Sequence, residues 1–574
     1  MLIIFAIIST VKNHRLLQLM KMNYHLTRAS LLIMLALLLG ASKAWAQVPT
    51  DSIVADFKYF VKLLEERHPD PYSGYGGKPY FRMAASDARN ALLKDKVTDV
   101  REFAYRINEF LAPLKDGHTV AMPDGHDVPG HFPVQYTDPA TLITLEAIND
   151  GIIVKALPEE YKGLVGSRLV AIENVAVNDL ASGMAKYFIA ENEIGRMMNL
   201  AHYAMQPKAL RKVIPTLGDA TITYQLKTPK GKKAEVTLPV VPFNQVLQFQ
   251  AQSARPSSFP AKPFSYDFLG MLQYGFADEG NNTMYFHVAH MIARDVLEYD
   301  KEHGYDYKSL LQGIYSIAGM PVPDNEDFAI AMIPSLNEEF EKMLQLMKQN
   351  GSKDLIIDLR GNGGGTTNII YPLVYQLYGD RYLKECYRDE KGLYLLTPHS
   401  MSEADLEQMN ATNEYKLEYG DYLDLSEVSY HNTSIENMRK SFIDGSMCSI
   451  KDKLRAQNGQ PAYNPEHVYV VTDPLTFSAA FHMAYYLWKM GATVVGVSSS
   501  QAPNTFMGNQ AFYLPRTGLT GDICGTIQIF FPDNDPRAKQ FTPDLMTTYE
   551  DYKRYNFDDN TPILYLLDII KNKK

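Results

Sequence analysis

Three short segments carry residue types at spacings that can do chemistry. The first, Asp358-Leu-Arg-Gly-Asn-Gly-Gly-Gly365, is a glycine cluster between an apolar strand and a helix. Backbone N–H groups come close to an anion there, because no Cβ blocks the approach and the helix dipole favours negative charge. The segment lacks the Gly-Lys-Ser/Thr ending of a phosphate loop and the dinucleotide glycine spacing, so an oxyanion hole fits it better; a purely structural turn is the alternative. The second, Thr476-Phe-Ser-Ala-Ala-Phe481, falls where a strand turns into a helix. The Ser478 hydroxyl can attack a carbonyl from that position while the Ala479 N–H stabilises the developing oxyanion, although a serine there also serves as an ordinary N-cap. The third, Leu114-Lys-Asp-Gly-His-Thr119, sets His118 in a polar turn, free to act as a general base in a cleft or to stay a surface residue. A second Asp-Gly-His at 124–126 and then His131 follow. His118, His126 and His131 could share a metal, yet none has zinc-type spacing on a helix. His287 and His290 make a further weak pair set in a strand.

The elements that must position these residues are legible in the periodicity. Ile53, Val54, Phe57, Phe60, Val61 and Leu64 recur at helical spacing up to His68-Pro69, and a second helix opens at Asp99 with Glu102 completing a capping box. Residues 47–130 therefore read as an N-terminal helical domain ending in the Asp-Gly-His segment. Short strands follow at Gly151–Ala156, Ser167–Glu173, Thr221–Leu226 and Ala234–Leu238, with helical material near 180–212, and define a strand-rich module over 131–245. Residues 246–266, rich in Ser, Pro and Ala, read as a linker. From 267 to 574 strands and helices alternate. The nearly continuous apolar runs Asp354–Leu359 and His467–Thr472 predict buried parallel strands, each followed by a helix. Residues 383–465, polar and Tyr-rich, read as an insertion or lid on this α/β core.

Composition bounds the partners. The chain has 574 residues, 46% hydrophobic and 21% charged, enough for two to four globular domains. A formal charge of −10 with no long Lys/Arg run argues against nucleic acid. The apolar run at 31–39, preceded by Lys21 and Arg28 and followed by Ala44-Trp45-Ala46, reads as a secretory signal over 1–46 cleaved before Gln47, with Met1, Met20 or Met22 as the start. Removing it leaves 51 basic against 66 acidic residues, a charge of −15, and no stable membrane span is expected after processing. Cys386, Cys448 and Cys524 are too few for a disulfide scaffold.

Taken together these segments resemble the tail-specific, or C-terminal processing, serine peptidases, whose Asp-Leu-Arg-x-Asn-x-Gly-Gly strand end and Thr-x-Ser-Ala turn correspond to Asp358–Gly365 and Thr476–Ala479. Residues 131–245 resemble the family's PDZ-like module through Gly166-Ser-Arg-Leu-Val-Ala-Ile-Glu-Asn, and Thr542-Pro-Asp544 resembles its late Pro-Asp element. The Ser-Lys branch is departed from: position 503 is Pro, and 497–508 contain no Lys. The resemblance is closer to the tricorn-core-like branch, whose base His lies ahead of the PDZ-like module, where His118 stands. Gly117 and Arg537 occupy the positions where that branch carries a Ser and a Glu, which leaves Asp535 and Asp533 as the nearest candidates to orient His118.

The resemblance implies a crotonase-like (ClpP/crotonase) α/β core with a PDZ-like and an N-terminal helical domain. It further implies an exported, periplasmic or extracellular serine peptidase with Ser478 as nucleophile, His118 as base, and the N–H groups of Gly364 and Ala479 as oxyanion donors. No cofactor or metal is implied, and the expected partner is a peptide or unfolded protein chain bound partly by strand addition. An inactive ligand- or peptide-binding protein on the same fold and, further off, a metal-dependent hydrolase are the alternatives.

Overall fold

The computed structural model describes residues 47–122, 138–253, 265–266, 270–317, 319–387, 391–398, 400–412, 416–424 and 433–573. The signal segment 1–46, His126 and His131 lie outside them. Three helices open the described chain, at Thr50–Arg67, Lys78–Lys94 and Val100–Leu111. The first ends where His68, preceding Pro69, turns extended, as a residue before proline must. The third is capped by Asp99, whose side chain accepts the Glu102 N–H at 2.8 Å. The middle helix was not legible from periodicity, because only Phe81 and Leu92 of its residues are buried. The helical layer is also not self-contained. Phe57, Phe60, Phe103 and Ile107 share one core with Phe512, Leu514, Leu519 and Ile523 of the hairpin Thr505–Tyr513/Thr520–Ile529, and Val120–Met122 pairs antiparallel with that hairpin. Buried Asp56 adds a polar tie by accepting the N–H groups of Arg516 and Thr517 and the Thr517 hydroxyl.

Residues 138–253 build an antiparallel sheet in the order Ala140–Thr141, Lys233–Val241, Thr221–Lys227, Arg168–Ile172, Gly151–Ala156, Thr144–Ile148. Alternate residues Ile222, Tyr224 and Leu226 face inward against the helices Val177–Met184 and Glu193–Tyr203, which gives the strand its period of two. The expected linker is in part a helix, Phe243–Ser253, whose Val246 packs into this core. A short apolar anchor outweighs the loop-like composition around it.

A seven-stranded sheet forms the centre, ordered Leu545–Met546, Thr493–Gly496, His467–Thr472, Asp354–Asp358, Thr283–Val288, Leu272–Phe276, Ser265–Tyr266. Its first five strands are parallel and the last two antiparallel. Asp354–Asp358 is buried at every residue, because helices cover both faces: Leu336–Asn350, Tyr371–Tyr378 and Ala479–Lys489 share the larger core, while Thr561–Lys573 closes the other face on Ile356, Tyr469, Val471 and Val495. The segment 383–465 is not a separate lid. Lys391–Leu395 and Tyr422–Asp424 extend the sheet of the Thr505–Ile529 hairpin, and the helices Ile435–Gly445 and Lys451–Gln457 bury Phe442, Ile443 and Leu454 in the main core. Its polar average conceals a few apolar anchors at helical spacing.

Candidate active site

Both core motifs sit at the C-terminal ends of adjacent parallel strands, and hydrogen bonds lock them together. Arg360 forks onto Asp358 through Nε and Nη2 and reaches the Asp559 carbonyl and Asn560, while the Tyr285 hydroxyl donates to Asp358. Burial pushes the Asp358 carboxyl up, but the charge and hydrogen bonds of Arg360 outweigh it and hold the group below its ordinary range. The Asp358 carbonyl lies 3.1 Å from Nδ1 of His287, so this histidine braces the strand end. Asp473 accepts the Gly361 N–H at 3.0 Å, the Thr476 hydroxyl donates to the Leu359 carbonyl at 2.9 Å, and the Phe477 N–H donates to the Asn362 carbonyl at 3.0 Å. The glycine loop and the serine turn are thus one braced unit.

Ser478 stands at the head of the helix Ala479–Lys489 with φ +53° and ψ −126°, a backbone conformation that costs a non-glycine residue on the order of 1–3 kcal/mol. The turn holds it there through the Ser478 N–H, which donates to Oε1 of buried Gln501. Ala479 is the first helical residue, and its N–H donates to no acceptor among the described residues, as expected of a helix start. Gly364, expected as the second oxyanion donor, instead gives its N–H to Oδ1 of Asn362 at 2.9 Å. What Gly364 supplies is room. A Cβ there would stand 2.6 Å from the Ser478 Cβ and 2.8 Å from the Phe477 carbonyl oxygen, on a backbone with φ +105°.

His118 comes to this unit from the helical layer. Its ring lies over Phe477, the residue before Ser478, with centroids 4.7 Å apart, and only 6% of the residue is exposed. Among the described residues neither ring nitrogen has a hydrogen-bond partner, so Ser478 and His118 are neighbours without a direct bond in this arrangement. Burial pushes the His118 pKa down, against the upward pull of the Asp116 charge, so the surroundings favour the neutral ring. The Asp116 carboxylate fixes the turn by accepting the His118 N–H at 2.8 Å, and its other oxygen lies 3.2 Å from Nε2 of buried His68. Burial pushes Asp116 up, but the hydrogen bond and charge of His68 hold it net below its ordinary value.

The carboxyl beside His118 is one that local sequence gives no reason to choose. Oε1 of Glu191 lies 4.0 Å from Nδ1 of His118. Glu191 sits just before the helix Glu193–Tyr203, and its oxygens accept the N–H groups of Gly117 at 2.9 Å and Ala502 at 2.7 Å. Burial raises its pKa to about 8, helped by the Asp116 charge and opposed by those two N–H groups. The expected acids are engaged elsewhere: Asp535 caps a short 3₁₀ turn and is forked by Arg537, and Asp533 lies against the Asn504 side chain. His482, one turn into the serine helix, is held neutral by burial with a pKa near 4, its Nδ1 3.1 Å from the Thr367 hydroxyl. An apolar cavity lined by Tyr105, Tyr187, Phe188 and Phe477 borders Gly117 and Glu191.

Residues 326–510, which carry both braced motifs, match the family model of peptidase family S41. That match supports a serine-type peptidase. Two structures of mature CPAF, one complexed with lactacystin, align with 90% of this chain and with 99% and 98% of their own, at 15% identity and a TM-score of 0.50. At that identity the likeness is one of fold. A photosystem II D1 C-terminal processing protease aligns with 87% of this chain and 94% of its own at 11% identity and a TM-score of 0.34. No curated protein matches the sequence.

Proposed function

We propose that this peptidase works by a Ser-His acyl-enzyme mechanism in which Ser478 attacks the scissile carbonyl, His118 takes the hydroxyl proton and Glu191 orients and stabilises the resulting imidazolium. One observation carries the reading: among the described residues, a serine held at positive φ beside an unengaged helix-start N–H has an unpartnered buried imidazole packed on the preceding residue and a carboxyl 4.0 Å behind that ring. Glu191 faces Nδ1, so Nε2 is the nitrogen left to receive the Ser478 proton. The Ala479 N–H then meets the tetrahedral oxyanion, a contact worth about 3 kcal/mol in comparable sites. His118 returns the proton to the leaving amine, and water reverses the sequence. Hydrogen bonds of this kind often close only with substrate in place.

The parallel sheet is read as a crotonase-like core and the antiparallel module as a PDZ-like domain. The substrate is a peptide or unfolded chain, one of whose apolar side chains fits the cavity beside Phe477. The apolar run and Ala44-Trp45-Ala46 support export. Among the described residues no helix is long and apolar enough to cross a membrane. A fluorophosphonate probe tests the centre of the proposal: the wild type is labelled at Ser478 and Ser478→Ala is not. Labelling that persists in the variant, or a wild type that binds peptides but never labels, would overturn it.

A further inference from the structure

Asp116, His118 and Glu191 each offer a donor atom, and the three atoms lie within 4.8 Å of one another. Donors on a tetrahedral zinc ion at about 2.0–2.2 Å stand about 3.4 Å apart, so side-chain adjustments of roughly an ångström would close the set. We propose that this triad is a site for a zinc-type divalent cation and that its occupation switches the peptidase off.

Three independent features favour a built site. The carboxylates are already braced from behind: Glu191 by the Gly117 and Ala502 N–H groups, Asp116 by the His118 N–H and His68. Outer hydrogen bonds of this sort orient metal ligands and are a regular part of such centres. Among the described residues neither carboxylate forms an ion pair with Lys or Arg, so no fixed cation fills the place between them. Among the described residues the buried imidazole has a partner at neither nitrogen, and a cation would satisfy one of them. One imidazole with two carboxylates and a fourth position open to water suits zinc, whereas calcium takes six to eight oxygens.

Ligation at Nδ1, the nitrogen facing Glu191, leaves the ring proton on Nε2. A ring so held cannot accept the Ser478 proton, so hydrolysis stops until the cation leaves. Binding stands on the three side chains alone, while inhibition rests on His118 being the base.

The test is titration of the metal-free mature protein with zinc, followed by calorimetry, by X-ray absorption at the zinc edge and by the rate of fluorophosphonate labelling. One zinc per chain is expected in the wild type and in Ser478→Ala, in a shell of one imidazole nitrogen with oxygens. Labelling should fall at least tenfold at saturation and return with a chelator, and Glu191→Gln should weaken zinc at least tenfold. A shell with two imidazoles or a thiolate, or affinity unchanged in Glu191→Gln, overturns the site. Full occupancy with undiminished labelling overturns the switch. A wild type that the probe never labels refutes the peptidase mechanism, and the absorption shell then decides the zinc site by itself.

Discussion

Replacing Glu191 by Gln separates an orienting acid from a residue that merely fills space. Its carboxyl has an ordinary pKa of 4.5 and a folded value of about 8, because burial disfavours the charged form. A raised folded value means stability that is complete below pH 4.5 and lost as pH rises toward 8. Each pH unit in that window removes about 1.4 kcal/mol, hence about 3 kcal/mol by pH 7 and about 5 kcal/mol above pH 8. The amide of the Glu191→Gln variant does not titrate. It carries one acceptor where the carboxylate served both Gly117 and Ala502, so the variant bears a pH-independent penalty of about 1–3 kcal/mol for one opposed N–H. Urea unfolding of both proteins from pH 5 to pH 8 should show the wild type losing about 4 kcal/mol more than the variant across the range. All other titrating groups are common to the two and cancel. Probe labelling of the wild type should rise with pH through about 8, where Glu191 ionises and can stabilise the imidazolium, and fall by roughly 10²–10⁴-fold in the variant. Stability curves that stay parallel within about 0.5 kcal/mol, or labelling within a few fold of wild type, refute the assignment of Glu191.

Ser478→Gly should abolish labelling and raise stability by about 1 kcal/mol in thermal unfolding, because glycine relieves the positive φ. Gly364→Ala should cost about 2 kcal/mol or more and remove labelling, since its Cβ meets the Ser478 Cβ at 2.6 Å; retained activity would show that the loop gives way. Arg360→Lys keeps the charge but not the fork onto Asp358, and should lower the unfolding midpoint by about 2 kcal/mol equivalent, with labelling slowed as the glycine loop loosens. Asp535→Asn removes a surface pair with Arg537, so labelling within twofold of wild type is expected, and a large loss would return the orienting role to Asp535.

Local features that depend only on contiguous chain are legible in the sequence. Asp358–Gly365 and Thr476–Ala479 carry their meaning locally: an apolar run makes a buried strand, glycines or a small residue end it, and the following helix exposes its first N–H groups. His118 was readable as a candidate because Gly117 and Asp116 frame it in a turn. The helix Lys78–Lys94 was not, because a helix that buries little leaves no stripe in the sequence.

Glu191 shows where local reading stops. Nothing in Phe188-Ile-Ala-Glu-Asn192 distinguishes that carboxyl from the other acids of the chain. It acquires its place when the segment before the helix Glu193–Tyr203 packs between the His118 turn and Ala502, where two backbone N–H groups hold it and burial raises its pKa. The segment 383–465 followed the same rule, its composition suggesting a solvated lid while Phe442, Ile443 and Leu454 sit in the main core. The sequence by itself determined which strand ends bear the Ser478 turn and the glycine loop, since those depend on neighbours along the chain. The tertiary structure alone decided which carboxyl comes to lie beside His118 and which amide is left unengaged among the described residues, because both follow from burial and from contacts between segments far apart in sequence.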